Sequence, residues 1–380
     1  MTRAPVILAL FAVLLPPRLP AQSYAAIDSA VRQGITKGVF PGAVVVVGRA
    51  DTILYSKGYG RFTWNRRSKV PDPATSLWDL ASVTKVVGTT TSAAVLVNQG
   101  RLDLDALVSS YLPEFNGIDK GQVTVRMLFD HTSGLPPYAR LWREAASAPE
   151  ALRRLYSVPL ERQPGLSAHY SDLNAMIAGL VVERIAGERL DAFADSVVFK
   201  PLGMRATTYQ PSVRDRSRVV PTAIFRGRPV AGVVNDQNAR VLGGVAGHAG
   251  LFSTGIDLAH FAQGWLRDSA KASLPWLTPA TLSRFFERTA TSGSRALGWD
   301  TPENTDTSIS MYGRCATATT IGHTGWTGTA LWLDRSQDLF VVFLTNRSYA
   351  PRKPNQSFAQ LKLVRAQVSD AARAAAGRCF

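Results

Sequence analysis

Strand-like segments near both ends of the chain, with helical patterns between them, limit the folds open to this sequence. Residues 42–63 read GAVVVVGRADTILYSKGYGRFT and predict two strands joined by a turn at residues 49–51. Residues 318–346 combine alternation with β-branched residues and predict three strands, with turns at GWTG and DRSQD. The chain therefore favours an α/β (α+β) fold. Its central antiparallel sheet is built from N- and C-terminal segments and flanked by helices, and a mostly helical domain is inserted between those segments.

Helices are predicted on both sides of these strands and throughout the insertion. Apolar spacing and glycine caps place them at residues 23–38, over much of 82–198, at 256–268 and at 357–377. Residues 212–249 show no regular pattern, and we expect them to form a long, irregular, basic stretch. We expect one mature domain over residues 22–380. Its predicted parts are an α/β part at about 24–80 and 285–380, and a helical part at about 82–284.

The first 21 residues have the pattern of a secretory signal peptide. A basic start at Arg3 precedes the apolar run APVILALFAVLL, and small residues follow near Ala21. The apolar run is too short to span a bilayer well, and no cysteine near Ala21 offers a lipid anchor. We expect cleavage near Ala21 and a periplasmic or secreted protein without a stable membrane anchor.

The mature chain is strongly basic. Its formal charge is +15, and removal of residues 1–21 takes away Arg3, Arg18 and no acidic residue, which leaves +13. The basic residues are dispersed, and even the densest stretch, RSRVVPTAIFRGR, has no aromatic residues interleaved at a regular spacing. We therefore expect no nucleic-acid partner. Non-specific attraction to a polyanionic cell envelope and a solvated basic face are the alternatives.

Neither the cysteines nor the histidines predict a metal site. The two cysteines, Cys315 and Cys379, allow one disulfide, whose geometry the sequence does not supply. The five histidines are scattered, without an HExxH motif or a close cluster of ligands. We expect no metal and no other cofactor.

A serine and a lysine lie three residues apart in the segment DLASVTKVVGTT. On a helix, Ser82 and Lys85 would share a face, and a desolvated lysine can take the proton of a serine hydroxyl. A position at the start of the helix would also surround Ser82 with unpaired amide donors. The alternative is that Ser82 only caps the helix and Lys85 reaches solvent, although the valines around Lys85 favour burial.

Two further segments carry polar residues at element ends. In HYSDLNAMIAG, Tyr170 and Asp172 stand at the entry to an apolar helix, where packing and helix capping are the simpler interpretations. In GHTGWTG, Gly325 lies in a predicted strand and would let a substrate approach the strand edge. A tight hairpin explains the end of that segment equally well.

Together, and in this order, these segments resemble the serine β-lactamase and penicillin-binding-protein superfamily, closest to its class C β-lactamase, D-peptidase and esterase branch. Ser82 and Lys85 look like the S-x-x-K motif, residues 170–172 like the Y-x-N position, and residues 323–325 like the K-T-G strand. LFDHTSGLP and GGVAGHAGLFST also look like segments of that branch. The likeness covers roughly residues 23–377.

The resemblance implies roles for the residues of these motifs. Ser82 would be acylated, and Lys85 and Tyr170 would share proton transfer. The oxyanion hole would come from the backbone amides of Ser82 and Trp326. Substrate would contact three further residues: Asp172, Thr324 and Gly325.

Two residues depart from the pattern of that branch. Asp172 stands where asparagine is frequent, and an ionised Asp172 near Lys85 would stabilise the ammonium. The base would then be a Tyr170 phenolate, which needs a pKa well below about 10. His323 replaces a lysine that helps hold a substrate carboxylate, and a neutral imidazole would do so weakly.

These residues predict an exported serine hydrolase that works through an acyl-enzyme. Because of His323, we expect poor β-lactam hydrolysis and a preference for small esters, amides or D-configured peptides, with cell-wall fragments among the candidates. The alternatives are a β-lactamase with low or modest turnover, a non-turnover penicillin-binding sensor, and a basic envelope-binding protein with a vestigial pocket. A Ser-His-Asp α/β-hydrolase is disfavoured because the chain has no G-x-S-x-G elbow.

Overall fold

The computed structural model of the protein describes residues 23–267, 277–302 and 310–379. The predicted signal peptide falls outside the described residues. No helix in the described part of the chain is both long and apolar enough to cross a membrane.

A five-stranded antiparallel sheet is the centre of the fold. Its strands come from both ends of the chain: β1 (Gly42–Gly48), β2 (Ile53–Gly60), β7 (Thr320–Thr324), β8 (Ala330–Asp334) and β9 (Leu339–Thr345). The spatial order is β2-β1-β9-β8-β7, so N-terminal β1 pairs directly with C-terminal β9. The predicted fold class is confirmed.

The unbroken valine run of β1 is explained by burial on both faces of the sheet. Successive strand residues point to opposite faces, so alternate valines enter two different cores. Val44 and Val46 belong to the large core beneath the helical part of the protein. Val45 and Val47 belong to a smaller core on the opposite face. Neither face is solvated, and polar alternation is therefore absent from this strand.

Helices cover both faces of the sheet and form the insertion. Two of them, α1 (Ala25–Thr36) and α12 (Pro354–Ala375), pack together on one face, and α10 (Gly255–Leu266) packs on the other. The remaining helices are α2 (Thr91–Asn98), α3 (Val108–Tyr111), α4 (Val125–Phe129), α5 (Leu141–Glu144), α6 (Ala148–Ser157), α7 (Asp172–Ala186), α8 (Leu190–Ala194), α9 (Gln237–Val241) and α11 (Pro279–Phe286). Thr254 caps α10, because its side chain accepts the N–H of Asp257.

The basic stretch at residues 212–249 contains more regular structure than its sequence predicts. The strands β4 (Ala223–Phe225) and β5 (Arg228–Val230) form a hairpin, and Arg226 and Gly227 turn between them with positive φ angles of 48° and 74°. Most of the hairpin is exposed on both faces, so its sequence shows no apolar alternation. A further two-stranded pair joins β3 (Trp78–Asp79) to β6 (Phe252–Ser253).

The two cysteines are joined in a disulfide. The Cα atoms of Cys315 and Cys379 are 5.3 Å apart, and 64 residues separate them in sequence. The bridge connects the segment before β7 to the end of the chain, beyond α12. The sequence left this pairing open. The division into α/β and helical parts at the boundaries given above stays a prediction.

We expect Cys379→Ser to lower the free energy of unfolding by about 2–4 kcal/mol, because the bridge restricts a long loop in the unfolded chain. Urea denaturation with and without reductant measures the effect. Reductant should destabilise the wild type and leave the Cys315→Ser/Cys379→Ser variant unchanged. Equal midpoints for oxidised and reduced wild type would show that the bridge carries no stability.

Candidate active site

Ser82 lies in a single 3₁₀ turn rather than at the start of a regular α-helix. The turn covers Ala81–Val83, a π-helical segment follows at Lys85–Thr90, and the α-helix begins only at Thr91. Ala81 has a positive φ of 48°, which is unusual for a residue with a Cβ. Irregular backbone and strain of this kind are concentrated at functional sites.

Side chains from two segments hold this strained turn in place. The Asp79 carboxylate accepts the N–H of Ala81 at 2.9 Å and that of Asn235 at 2.6 Å. The hydroxyls of Thr327 and Thr329 each donate, at 2.8 Å, to the backbone oxygens of residues 79 and 80. Burial raises the pKa of Asp79 to about 6, against the effect of its two amide donors.

Lys85 is buried beside Ser82, with 3% of its surface exposed. Its ammonium donates to Ser82 Oγ at 2.9 Å, to Asp172 Oδ1 at 2.7 Å and to the backbone oxygen of His248 at 3.2 Å. Burial alone would lower the pKa of Lys85, but Asp172 and Tyr170 outweigh burial and raise it. Lys85 is therefore a cation near neutral pH. The alternative of a solvent-directed lysine is wrong, because the surrounding core closes over the side chain.

The Tyr170 phenol lies beside Lys85 and Ser82, close enough for both residues to oppose the rise in its pKa. Its ring lies 4.8 Å from the His131 ring and 5.9 Å from the His323 ring, between centroids. Burial raises the pKa of Tyr170, and the opposing effect of the Lys85 charge is smaller. The lowered pKa that a resting phenolate requires is not found. That part of the sequence-based hypothesis is wrong because desolvation of the phenolate dominates.

The start of α7 presents Asp172 to Lys85. Ser171, not Asp172, caps the helix, since its hydroxyl accepts the N–H groups of Leu173 and Asn174. The Asp172 carboxylate is thereby left to form the ion pair with Lys85. The proximity that the sequence suggested for Asp172 and Lys85 is present in the structure.

The end of β7 forms the opposite wall of the site. His323 Nδ1 contacts the backbone oxygen of Thr324 at 2.9 Å. Burial lowers the pKa of His323 well below its usual value, and the charges of Lys85 and Arg295 lower it further. His323 is therefore neutral, in line with the weak carboxylate binding expected from the sequence.

Gly325 is explained by packing within the protein. A Cβ at this position would lie 2.4 Å from the backbone oxygen of Leu80 and 2.2 Å from Thr329 Oγ1. The sequence suggested that a substrate would fill this space, but the turn before Ser82 fills it. A glycine here lets β7 approach the nucleophile turn closely.

Trp326 follows Gly325 at the mouth of the cleft. Within the described part of the chain, its backbone N–H donates to no protein acceptor. Its side chain is 62% exposed and lies 6.2 Å from the Phe358 ring, between centroids. The Arg347 guanidinium is 4.6 Å from the Trp326 ring centroid. The oxyanion role of this amide stays a prediction.

These residues line a cleft of about 880 Å³. It brings together the predicted residues Ser82, Tyr170, Asp172, His323, Thr324, Gly325 and Trp326, and Lys85 lies beneath Ser82. His169 is not among the residues that line the cleft.

The sequence interpretation missed several residues of the cleft wall. Arg295 places its guanidinium 5.1 Å from the Tyr170 ring centroid. Asp236 Oδ1 and His248 Nε2 are 2.8 Å apart, and the pKa of Asp236 is lowered to about 2 because this contact outweighs burial. Arg295 and Asp236 belong to no motif in the sequence. His248 was visible only as part of the segment GGVAGHAGLFST, with no partner.

Two buried histidines, His131 and His248, make hydrogen bonds beside the site. His131 Nδ1 accepts the N–H of Ser171, which helps to position the start of α7. His248 pairs with Asp236 through its ring and with Lys85 through its backbone oxygen.

The sequence profile of the family described as Beta-lactamase matches residues 27–365. The chain belongs to the beta-lactamase family. As a member, it is a serine hydrolase. The predicted superfamily is confirmed.

Relatives of this beta-lactamase-family protein carry several activities in their names. An N-acetylmuramyl-L-alanine amidase of Bacillus subtilis (strain 168) is 32% identical over 367 residues, which cover 86% of this chain and 81% of the relative. A protein of Escherichia coli O157:H7, provisionally named D-alanyl-D-alanine carboxypeptidase, is 28% identical over 358 residues. These residues cover 85% of this chain and 82% of the relative. The solved structure of EstCE1, a hydrolase with promiscuous acyltransferase activity, is similar in fold. The TM-score between the two structures is 0.73 and their sequence identity is 22%. The match covers 90% of this chain and 98% of the EstCE1 chain.

We expect Asp172→Asn to lower the free energy of unfolding by about 2–4 kcal/mol at neutral pH, because it leaves a buried ammonium without its counter-ion. A double-mutant cycle with Lys85→Met, followed by urea denaturation, measures the coupling between the two residues. The exposed pair Lys200–Asp195 is a matched control and should show a coupling of less than about 1 kcal/mol. Strictly additive losses at Lys85 and Asp172 would mean that the ion pair is not a unit.

Proposed function

We propose that the protein is an exported serine hydrolase that forms an acyl-enzyme on Ser82 and acts on small esters, amides or D-configured peptides. One observation carries this proposal. Ser82 Oγ lies 2.9 Å from a buried Lys85 ammonium, and Ser82 and Tyr170 both line a cleft of about 880 Å³. A hydroxyl that accepts from a buried ammonium, with a phenol beside it in the same cleft, is arranged for nucleophilic attack.

The names of the relatives support the chemistry without identifying the substrate. One relative is named as an amidase and another, provisionally, as a carboxypeptidase, and EstCE1 is named as a hydrolase with promiscuous acyltransferase activity. An acyl-enzyme on a serine is one route to all these reactions. We extend it to Ser82 on the geometry of the cleft.

The charges of the resting site determine how the proton of Ser82 moves. Lys85 is already protonated and cannot accept it, and Tyr170 is a neutral phenol. In the proposed step, Ser82 Oγ attacks the substrate carbonyl while its proton passes to the Tyr170 oxygen. Tyr170 releases its own proton to the departing amine or alcohol, so it is neutral before and after the step.

Deacylation follows the same path in reverse. A water molecule attacks the acyl carbonyl and gives a proton to the Tyr170 oxygen, and Tyr170 returns its proton to Ser82 Oγ as the ester bond breaks. The Lys85 ammonium donates to both oxygens throughout and stabilises the charge that they share. We assign the oxyanion of each tetrahedral intermediate to the amides of Ser82 and Trp326. Donors of this kind each contribute on the order of 3 kcal/mol.

Export is part of the proposal and is supported by the sequence of residues 1–21 alone. The disulfide between Cys315 and Cys379 fits an oxidising compartment. We propose cleavage near Ala21 and a periplasmic or secreted mature protein whose partners are small-molecule substrates.

The first test is covalent labelling of Ser82. We expect intact-mass analysis to show a fluorophosphonate adduct and a short-lived acyl adduct from a p-nitrophenyl ester, both absent in Ser82→Ala. Nitrocefin turnover should be slow, because neutral His323 offers no cation for a β-lactam carboxylate. A penicillin adduct that persists for hours without ester turnover would instead identify a sensor. No adduct with any probe would refute the hydrolase.

The second test is Tyr170→Phe, which removes the proton relay and keeps the ring packing. We expect kcat/KM for a p-nitrophenyl ester to fall about 10²–10⁴-fold. In the wild type, kcat/KM should be level from pH 7 to 9 and decline only above about 10, because the pKa values of Lys85 and Tyr170 are both raised. A rate that rises with pH through 7 to 9 would instead support a phenolate or free-amine base.

A further inference from the structure

The hairpin formed by β4 and β5 lies at the rim of the cleft and takes no part in the proposed acyl transfer. Ala223, at its base, lines the cleft, whereas residues 224–229 are all exposed. Ile224 and Phe225, next to the turn, have 48% and 64% of their surfaces exposed. Single exposed apolar residues are ordinary, but two large neighbours on an exposed hairpin indicate contact with a partner.

Arginines flank these apolar side chains. Arg226 lies in the turn, and its guanidinium is 5.3 Å from the Phe225 ring centroid. Arg228 is paired with Phe225 across the hairpin, so their side chains share one face. Ile224 is paired with Pro229 and shares the other face with it. The tip of the hairpin therefore combines apolar surface with two positive charges.

The positive charge continues on the neighbouring 3₁₀ turn, Val213–Arg218. Arg214 and Arg216 are exposed in this turn. The turn lies against the segment after β5, because a Cβ at Gly232 would be 3.4 Å from Arg216 Cγ. The turn and residues 224–229 thus form one surface, which we call the basic rim.

Acidic residues of the same stretch do not neutralise the basic rim. Residues 212–249 contain six arginines and two aspartates. Asp215 pairs with Arg218 at 2.8 Å, and Asp236 pairs with His248 at 2.8 Å. Both carboxylates are therefore engaged within the protein, and the excess of arginines attracts an anionic partner.

The base of the hairpin is fixed to the end of the central sheet. Asn346 Nδ2 donates to the backbone oxygen of Pro221 at 3.0 Å, and Ser348 Oγ donates to that of Thr222 at 2.9 Å. Both donors lie just beyond β9. These contacts hold the hairpin at the cleft mouth and leave its tip exposed.

We propose that the basic rim binds the surface of an anionic lipid bilayer. Ile224 and Phe225 enter the interfacial layer, and the arginines contact lipid phosphates. Charge selects an anionic partner, and the apolar tip selects a bilayer, because a dissolved polyanion offers no apolar phase for Phe225. The contact holds the mouth of the cleft at the membrane surface. It does not depend on acyl transfer to Ser82.

Sedimentation with lipid vesicles tests this surface. We expect the wild type to bind vesicles with about 30% phosphatidylglycerol at least about tenfold more tightly than vesicles of pure phosphatidylcholine. Binding should weaken as the salt concentration rises through about 0.1 M, because salt screens the attraction between the arginines and the lipid phosphates. Equal binding to both kinds of vesicle, or to neither, would overturn the proposal.

Two double variants remove the charge and the apolar tip separately. Arg226→Ala/Arg228→Ala should weaken binding to the anionic vesicles about tenfold or more, because each arginine contributes attraction. Ile224→Ser/Phe225→Ser should weaken it about tenfold at unchanged net charge, because the interfacial layer then gains no apolar surface. All four side chains are exposed, so urea denaturation should give the wild-type midpoint for both variants.

Matched variants at exposed positions outside the basic rim are the controls. Arg32→Ala/Arg153→Ala removes the same charge from α1 and α6 and should weaken vesicle binding less than about threefold. Ile118→Ser/Leu166→Ser removes two exposed apolar side chains and should leave binding unchanged. Losses as large as those of the hairpin variants would show that net charge and general hydrophobicity cause the binding, and the proposal would be wrong.

Dextran sulfate separates a bilayer from a soluble polyanion as the partner. If Ile224→Ser/Phe225→Ser binds vesicles as well as the wild type does, and the arginine variant loses both vesicles and dextran sulfate, the rim is a polyanion site and the proposal fails. Ser82→Ala should bind vesicles like the wild type. Vesicle binding without hydrolysis would therefore contradict the proposed function alone, and hydrolysis without vesicle binding would contradict this inference alone.

Discussion

The ammonium of Lys85 is the contact on which the geometry of the site depends. A lysine has three N–H donors, and here they reach three segments of the chain: the turn that carries Ser82, the start of α7 at Asp172, and the loop at His248. A buried cation is tolerated only when such partners are supplied. The same contact therefore orders the nucleophile, attaches the helical insertion to it, and sets the charge of the site.

That charge constrains the chemistry of every neighbouring group. Because Asp172 neutralises Lys85, the site carries an ion pair rather than a free amine, and burial keeps the Tyr170 phenol protonated. Proton transfer through a neutral phenol is the path that needs no ionised base in this environment. Burial, with the positive charges of Lys85 and Arg295, lowers the pKa of His323 and keeps the imidazole neutral.

Much of the fold was predictable, because burial on two faces leaves a clear mark on a strand. The valine run of β1 and most of β8 and β9 are apolar, and turn residues separate β8 from β9. The π-helical segment after Ser82 was not predictable, since its sequence suits an α-helix and tertiary contacts decide between the two. The exposed hairpin at residues 223–230 was missed because it has no buried face to impose alternation.

The candidate site, like the fold, was predictable from the sequence only in part. Ser82 and Lys85 are close in sequence, and a periodicity argument can place both on one face. Arg295 and Asp236 reach the cleft through long-range folding, and no local pattern marks them. The identity of Asp172 suggested an ion pair with Lys85, but the pKa of Tyr170 depends on desolvation, which one sequence cannot supply.

Direct titration of the Lys85 side chain tests the central claim, that Asp172 keeps a buried ammonium beside Ser82. The NMR signals of the lysine side chain, assigned by comparison with Lys85→Met, report its protonation as a function of pH. The structure predicts a charged amine throughout the neutral range and a pKa above the ordinary value of 10.5. A midpoint near pH 7 would contradict the account, since Lys85 would then be a free base available to take the proton of Ser82.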